Sequence, residues 1–300
     1  MKVFVTGVCG QLGHDVMNEL SRQSIEAVGS DVLPACDSPY PYIPLDITDS
    51  EAVQAVILSV KPDAVIHCAA WTAVDAAEDE ANIHKVHLIN ATGTENIALS
   101  CKMAGCKLMY ISTDYVFDGQ GTLPWDPDCK AFAPLNVYGK SKLDGEQAVA
   151  ANLDSFFIVR IAWVFGRNGN NFIKTMLRLS EKYSELRVVN DQIGTPTYTY
   201  DLARLLVDMI QTDKFGYYHA TNEGGFISWY DFAVEIFRQA HKDITVHPVS
   251  TEEYGLSKAR RPFNSRLDKT KLIEKGFEPL PDWRNALSRY LYELESSENK

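Results

Sequence analysis

Short β-branched runs alternate with helix-length amphipathic stretches through the first half of the chain, and this alternation decides the class of fold open to it. KVFVTG is followed by GHDVMNELSRQ, IEAVGSD by a helical pattern over roughly 49–60, and DAVIHCAA by a long helical pattern over roughly 78–104. KLMYIST, a helix opened by YGKSK, and FFIVRIAWV complete the series. Strands separated by helices of this length pair in parallel through right-handed crossovers. Their near-continuous apolar character is that of strands covered by helices on both faces. The reading is α/β: a doubly wound parallel sheet, Rossmann-like, over residues 1–166. Beyond it, GNNFIKTMLRL, RVVNDQIGTPTYTY, GYYHATN and ISWYDFAVEIFRQA predict a smaller mixed α/β part over 167–300, interleaved with the last strands of the sheet. The tail ESSENK reads as frayed.

Composition narrows the partners. The chain has 300 residues, 45% hydrophobic and 23% charged, enough for a sizeable core. A formal charge of -11 opposes nucleic acid, whose phosphates need a basic surface. No run of about 18 apolar residues is present to span a bilayer, and MKVFVTGVCG enters a strand rather than a signal peptide. A cytoplasmic location without membrane association is the expectation. Cys9, Cys36, Cys68, Cys101, Cys106 and Cys129 form no CxxC, and several lie in apolar segments, so reduced thiols rather than a disulfide framework are expected.

The first strand runs directly into TGVCGQLG, with Gly7, Gly10 and Gly13 ahead of a helix. Gly7 suits a tight turn, Gly10 the approach of a pyrophosphate, and Gly13 close packing of helix on strand. The helix N-terminus offers free N–H groups and positive potential to a diphosphate. Asp31, ending the second strand, is placed to accept hydrogen bonds from an adenosine ribose. Strand, glycine triplet, helix and acid together predict a dinucleotide site.

In YGKSK, Tyr138 and Lys142 stand four residues apart and share one helix face. A neighbouring ammonium favours phenolate, so the lysine is expected to lower the tyrosine pKa and suit it to proton transfer. Reducing a ketone by hydride needs such a donor, a hydrogen bond to hold the carbonyl, and a cation.

The GxxGxxG spacing, HCAA at 67–70, NATGTEN at 90–96, STDYVF at 112–117 and YGKSK occur in an order that resembles the extended short-chain dehydrogenase/reductase family. AAWTAVDAAE, PLNVYGKSKLDGE, VNDQIGTPT and RRPFNSRL bring the likeness nearest to the dTDP-4-dehydrorhamnose reductases within it. The resemblance implies reduction of the 4-keto group of dTDP-4-dehydro-6-deoxy-L-mannose, with Tyr138 and Lys142 as the catalytic pair and Thr113 as the hydroxyl partner. It implies that Lys142 also holds the nicotinamide ribose, and that Asn90 positions the lysine through water. Gln11, Leu12, Asp46, Ile47, Ala69, Ala70 and Thr72 would complete the cofactor wall. Val74, Thr113, Asp114 and Trp163 would border the sugar, and Asn171 with Arg260 and Arg261 would hold the diphosphate; for the two arginines, surface solubility is the competing reading.

Asp31 is followed by Val32, Leu33 and Pro34, with no cation to neutralise a 2′-phosphate. NADH is therefore expected to serve at least as well as NADPH. No metal site stands out. Relatives that use magnesium at a subunit interface make Asp15 a candidate ligand, but Tyr200 stands where a second acid is expected. A homodimer is compatible with the resemblance. Two rival functions share the fold: another sugar-nucleotide epimerase or dehydratase, and a regulatory NAD(P)-binding subunit resembling methionine adenosyltransferase beta. Dehydration is opposed by the order Thr113, Asp114, Tyr115, which lacks the expected glutamate.

Overall fold

The computed structural model describes residues 1–36 and 39–298. Its centre is a sheet of seven strands. In chain order these are β1 (Lys2–Thr6), β2 (Glu26–Asp31), β3 (Tyr42–Pro44), β4 (Ala64–His67), β5 (Lys107–Thr113), β6 (Phe156–Ile161) and the edge strand Gly216–His219. Every pairing is parallel. The spatial order runs β3-β2-β1-β4-β5-β6 and then the edge strand, so the winding reverses between β1 and β4. The crevice beyond the carboxyl ends of the strands at such a reversal is where doubly wound sheets bind ligands.

Burial on both faces accounts for the apolar strands. Val3, Val5, Met109 and Val159 pack beneath α1 (Gln11–Arg22) and the helix Thr199–Ile210. Phe4, Val65, Leu108 and Ile158 pack on the other face, with α2 (Ser50–Val60) and the helix Gly93–Ala104. A second core around Phe165, Ile173, Phe232, Trp283 and Tyr290 belongs to the later half of the chain. That half also contributes the edge strand, hydrogen-bonded to β6.

Three expectations are corrected. The helix read over 78–104 is interrupted: Glu80–His87 and Gly93–Ala104 are α-helical, and Leu88–Thr92 between them is a π-helix. The wider turn carries Asn90 inside, a feature that hydrophobic periodicity does not encode. Cys9 and Cys36 form a disulfide, with Cα atoms 6.1 Å apart, because the glycine turn and the loop after β2 meet at the ends of adjacent strands. Cys68, Cys101, Cys106 and Cys129 are free thiols. The final helix, Trp283–Glu298, runs through most of the tail read as frayed, and residues 299–300 lie outside the described residues. Among the described residues no helix is long and apolar enough to cross a membrane.

Candidate active site

The glycine turn forms one wall. Gly7 has φ +74°, and a Cβ there would lie 2.6 Å from the Ala69 nitrogen. A Cβ on Gly13 would collide with the Gly7 carbonyl oxygen. Only glycine allows turn, α1 and the loop after β4 to come this close. Gly10 precedes α1 and supplies no capping side chain, and the first turn of α1 carries no acid. The N–H groups and positive end of the helix are thus left for an anion. Leu12 is buried in the core, whereas Gln11 points to the later half, where its Oε1 accepts a 3.1 Å hydrogen bond from Asn171 Nδ2. Asp31 Oδ2 accepts from Cys9 N at 3.1 Å and Oδ1 from Val32 N at 2.8 Å. Each oxygen keeps acceptor capacity for a ribose hydroxyl. The cradle and this acceptor fit the pyrophosphate and ribose of a dinucleotide.

On the opposite wall, Ala69 N donates to Thr6 Oγ1 at 3.3 Å, Ala70 is half-buried and Thr72 is exposed. Asn90 Oδ1 accepts from Trp71 N at 2.8 Å, while Nδ2 donates to Trp71 O at 3.1 Å and Ser141 Oγ at 3.0 Å. Asn90 therefore ties the loop after β4 directly to the helix that carries the tyrosine and lysine. Asp46 and Ile47 are engaged locally: Asp46 Oδ1 accepts from Thr48 N at 2.9 Å, and Ile47 is buried against Gly93.

The tyrosine–lysine helix spans Val137–Asn152. Asn136 caps it, its Oδ1 accepting from Gly139 N at 2.8 Å. Two glycines bring the helix close to its neighbours. A Cβ on Gly139 would strike the Tyr115 carbonyl, and one on Gly145 the Tyr110 hydroxyl. Tyr138 meets Tyr115 edge-to-face, with ring centroids 5.6 Å apart. Lys142 is only 3% exposed. Its Nζ donates to Ile111 O at 2.7 Å and lies 4.1 Å from the centre of the Tyr110 ring.

These placements revise the electrostatics expected of the pair. Burial pushes the Tyr138 phenol well above its ordinary value, and the Thr113 hydroxyl hydrogen bond opposes that rise. Burial pulls Lys142 down to about 7, with Glu146 next in importance and favouring the ammonium. Desolvation thus outweighs the cationic tuning expected from four-residue spacing alone. A phenol raised in this way stays protonated near neutral pH, which suits a donor.

Thr113 ends β5, and its Oγ1 donates to Asp114 Oδ1 at 2.9 Å. Asp114 is 2% exposed, and its Oδ2 has no hydrogen-bond partner among the described residues. Burial pushes its carboxyl up to about 6, with the neighbouring Ser265 and Thr113 hydroxyls holding it down. An orphaned buried acceptor beside the threonine is suited to a sugar hydroxyl. Trp163 holds a left-handed backbone, φ +51°, and stacks on Trp229 at 3.8 Å. A non-glycine residue in that region is retained only where its surroundings impose it. Val74 opens the short helix Val74–Ala77.

The residues expected to hold the diphosphate separate in the structure. Asn171 caps the helix Phe172–Ser180 and commits its side chain to Lys174 N, Gly166 O, Gln11 and Tyr290, so it joins the glycine turn to the second core. Arg261 is paired with Asp75 at 2.6 Å and also donates to Tyr115 Oη at 3.2 Å. Arg260 is exposed. Asp15, the candidate magnesium ligand, accepts from Thr199 Oγ1 and lies 3.0 Å from His14 Nδ1. Among the described residues no group of three or more His, Cys, Asp or Glu side chains is arranged to hold a metal. Sequence reasoning missed Asp75, Tyr115, Trp229 and the buried pair Glu146–Arg160. Glu146 alone left a signal, standing one turn after Lys142 on the same helix.

A family model described as the RmlD substrate binding domain matches residues 1–296. The spore coat polysaccharide biosynthesis protein SpsK of Bacillus subtilis is 38% identical over 296 residues, 99% of each chain. The dTDP-4-dehydrorhamnose reductase of Escherichia coli is 40% identical over 260 residues, covering 83% of this chain and 85% of that protein. The solved dTDP-4-dehydrorhamnose reductase of Bacillus anthracis, in complex with NADP, is 41% identical with a TM-score of 0.89, covering 97% of this chain and 99% of that one. The chain belongs to the RmlD substrate-binding-domain family of extended short-chain dehydrogenases/reductases.

Proposed function

We propose that the chain reduces the 4-keto group of dTDP-4-dehydro-6-deoxy-L-mannose to give dTDP-L-rhamnose. What supports this reading is Thr113 beside Tyr138, Lys142 one turn further along the tyrosine's helix, and the unpartnered acceptor Asp114 Oδ2, in a chain that aligns over 95% and 98% of its length with two dTDP-4-dehydrorhamnose reductases. The glycine turn and Asp31 would hold a nicotinamide dinucleotide, which would supply the hydride. Thr113 turns its hydroxyl from Asp114 Oδ1 to hold the carbonyl oxygen, Tyr138 delivers the proton to it, and the Lys142 ammonium stabilises the phenolate left behind. Asp114 accepts a hydrogen bond from a sugar hydroxyl and so fixes which carbonyl faces the tyrosine. Turnover of this substrate against its D-xylo-hexulose isomer tests the assignment. The isomer is the contrast of choice because a Streptomyces niveus relative, 35% identical, is a dTDP-4-keto-6-deoxy-D-glucose reductase. Preference for the isomer, or cofactor binding without turnover of either sugar, contradicts it, and the second result returns the regulatory-subunit reading.

NADH serves at least as well as NADPH on this account. The Asp31 carboxylate is fixed by Cys9 N and Val32 N, where it repels a 2′-phosphate. Asp31→Ala is expected to weaken NADH and to improve NADPH, narrowing the gap in kcat/KM. The NADP complex of the Bacillus anthracis relative makes a parental preference for NADPH the result to look for against it.

The two arginines are expected to behave differently. Arg260→Gln raises KM for the dTDP-sugar with little change in kcat, as loss of a remote diphosphate contact gives uniform weakening. Arg261→Gln also lowers kcat, because it releases Tyr115 from beside Tyr138. Steady-state kinetics of both variants check this; an unchanged KM in Arg260→Gln returns that residue to a solubility role.

A further inference from the structure

Glu146 and Arg160 form an ion pair whose side chains are 1% and 0% exposed. Glu146 Oε2 accepts from Arg160 Nη2 at 2.7 Å, and Oε1 accepts from Arg160 Nε at 2.8 Å and from Ser112 Oγ at 2.5 Å. Ser112 and Arg160 are direct cross-strand partners on β5 and β6. The carboxylate thus fastens the Val137–Asn152 helix to both strands, one residue before Thr113. Arg160 is itself confined, donating from Nη1 to Pro127 O at 3.0 Å with the Phe117 and Tyr217 rings 5.1 Å away.

Stability alone is a weak reason for this arrangement, since desolvating two charges offsets much of their attraction and an apolar pair of similar volume often does as well. An apolar pair lacks two things: a fixed acceptor for Ser112, and a carboxylate one helical turn from Lys142. We propose that Glu146 and Arg160 are positioning residues for the reduction, holding the helix of Tyr138 and Lys142 in register with Thr113 and keeping a carboxylate beside the lysine. The inference rests on the reductase reading above.

The surroundings of Lys142 single out Glu146. β5 presents the Ile111 carbonyl and the Tyr110 ring, and the end of β4 presents His67 and Cys68. Burial pulls His67 down to about 3 and pushes Cys68 up to about 12, so both are neutral across the working range. Tyr138, one turn earlier, is neutral for the same reason. Glu146 is the charged side chain that favours the ammonium, with Arg160 beyond it.

The test separates folding from positioning. Glu146→Gln and Arg160→Met each strand a buried charge or polar group and are expected to lower Tm, whereas the double variant Glu146→Leu/Arg160→Met recovers most of it. On the positioning account the double variant still has kcat about 10-fold or more below the parent, the scale of a small misplacement of reacting groups. Its KM changes little, and the alkaline limb of its pH–kcat profile moves to lower pH because Lys142 has lost its carboxylate. Ser112→Ala is the milder second variant, expected to lower kcat by about 3-fold with near-parental Tm, because it loosens only the tie to β5. Recovery of kcat together with Tm in the double variant, an unmoved alkaline limb, or parental kcat in Ser112→Ala overturns the proposal. Parental turnover of the dTDP-sugar tests the reductase reading separately, and the variant-to-parent ratio on whichever ketone the parent reduces tests the pair.

Discussion

Tyr138→Phe lowers kcat for ketone reduction by about 100-fold or more, the scale of a lost general acid, and leaves cofactor affinity near parental. The phenylalanine keeps the edge-to-face contact with Tyr115 and the capped start of the helix, so the loss is chemical rather than structural. Burial raises the phenol, which keeps its proton in place until negative charge develops on the substrate oxygen. Single-turnover rates and direct cofactor titration separate chemistry from binding. A parental rate in Tyr138→Phe would require the proton to come from elsewhere, and Asp114, hydrogen-bonded to Thr113, is then the acid to test.

Lys142→Met abolishes most turnover, weakens the cofactor and, unlike the tyrosine change, stabilises the fold. Burial lowers Lys142 to about 7, below its unfolded value of about 10.4. The sign follows from proton linkage: below pH 7 both states carry the charge and the folded state bears the full cost of burying it. Between the two values that cost fades as pH rises, because the folded lysine is neutral while the unfolded chain stays charged, and above the unfolded value it is gone. Methionine carries no charge at any pH. The gain in Tm from Lys142→Met is therefore expected to be largest near pH 6 and smaller near pH 9, with activity lost at both. Equal gains at the two pH values, or a lower Tm at pH 6, would show that the ammonium is not a buried burden but a net structural contact through Ile111 O.

The parts of the fold that are periodic were legible in the residues. Apolar runs gave the strands, and the glycine triplet with Asp31 gave the turn where α1 meets β1 and β2. The π-helical Leu88–Thr92 was not legible, because one wide turn leaves the surrounding periodicity almost intact while redirecting Asn90. Nor was the fate of Asn171 and Arg261. A sequence places an arginine near a proline but does not say that Asp75, far away in the chain, will occupy it. The lysine–tyrosine tuning failed for a related reason: spacing reports proximity along a helix, whereas burial of both side chains decides their protonation. The Cys9–Cys36 bridge depended on a loop meeting the glycine turn across two strand ends, which spacing in sequence does not disclose.

Hydride delivery to the sugar C4 can be followed directly. Reduced cofactor carrying deuterium at the transferring position, incubated with the chain and dTDP-4-dehydro-6-deoxy-L-mannose, is predicted to give dTDP-L-rhamnose with deuterium at C4 of the sugar by NMR and mass spectrometry, and the initial rate of labelling is predicted to fall about 100-fold or more in Tyr138→Phe. A cofactor bound but not oxidised by the parental chain, or deuterium found at another carbon, would contradict the account.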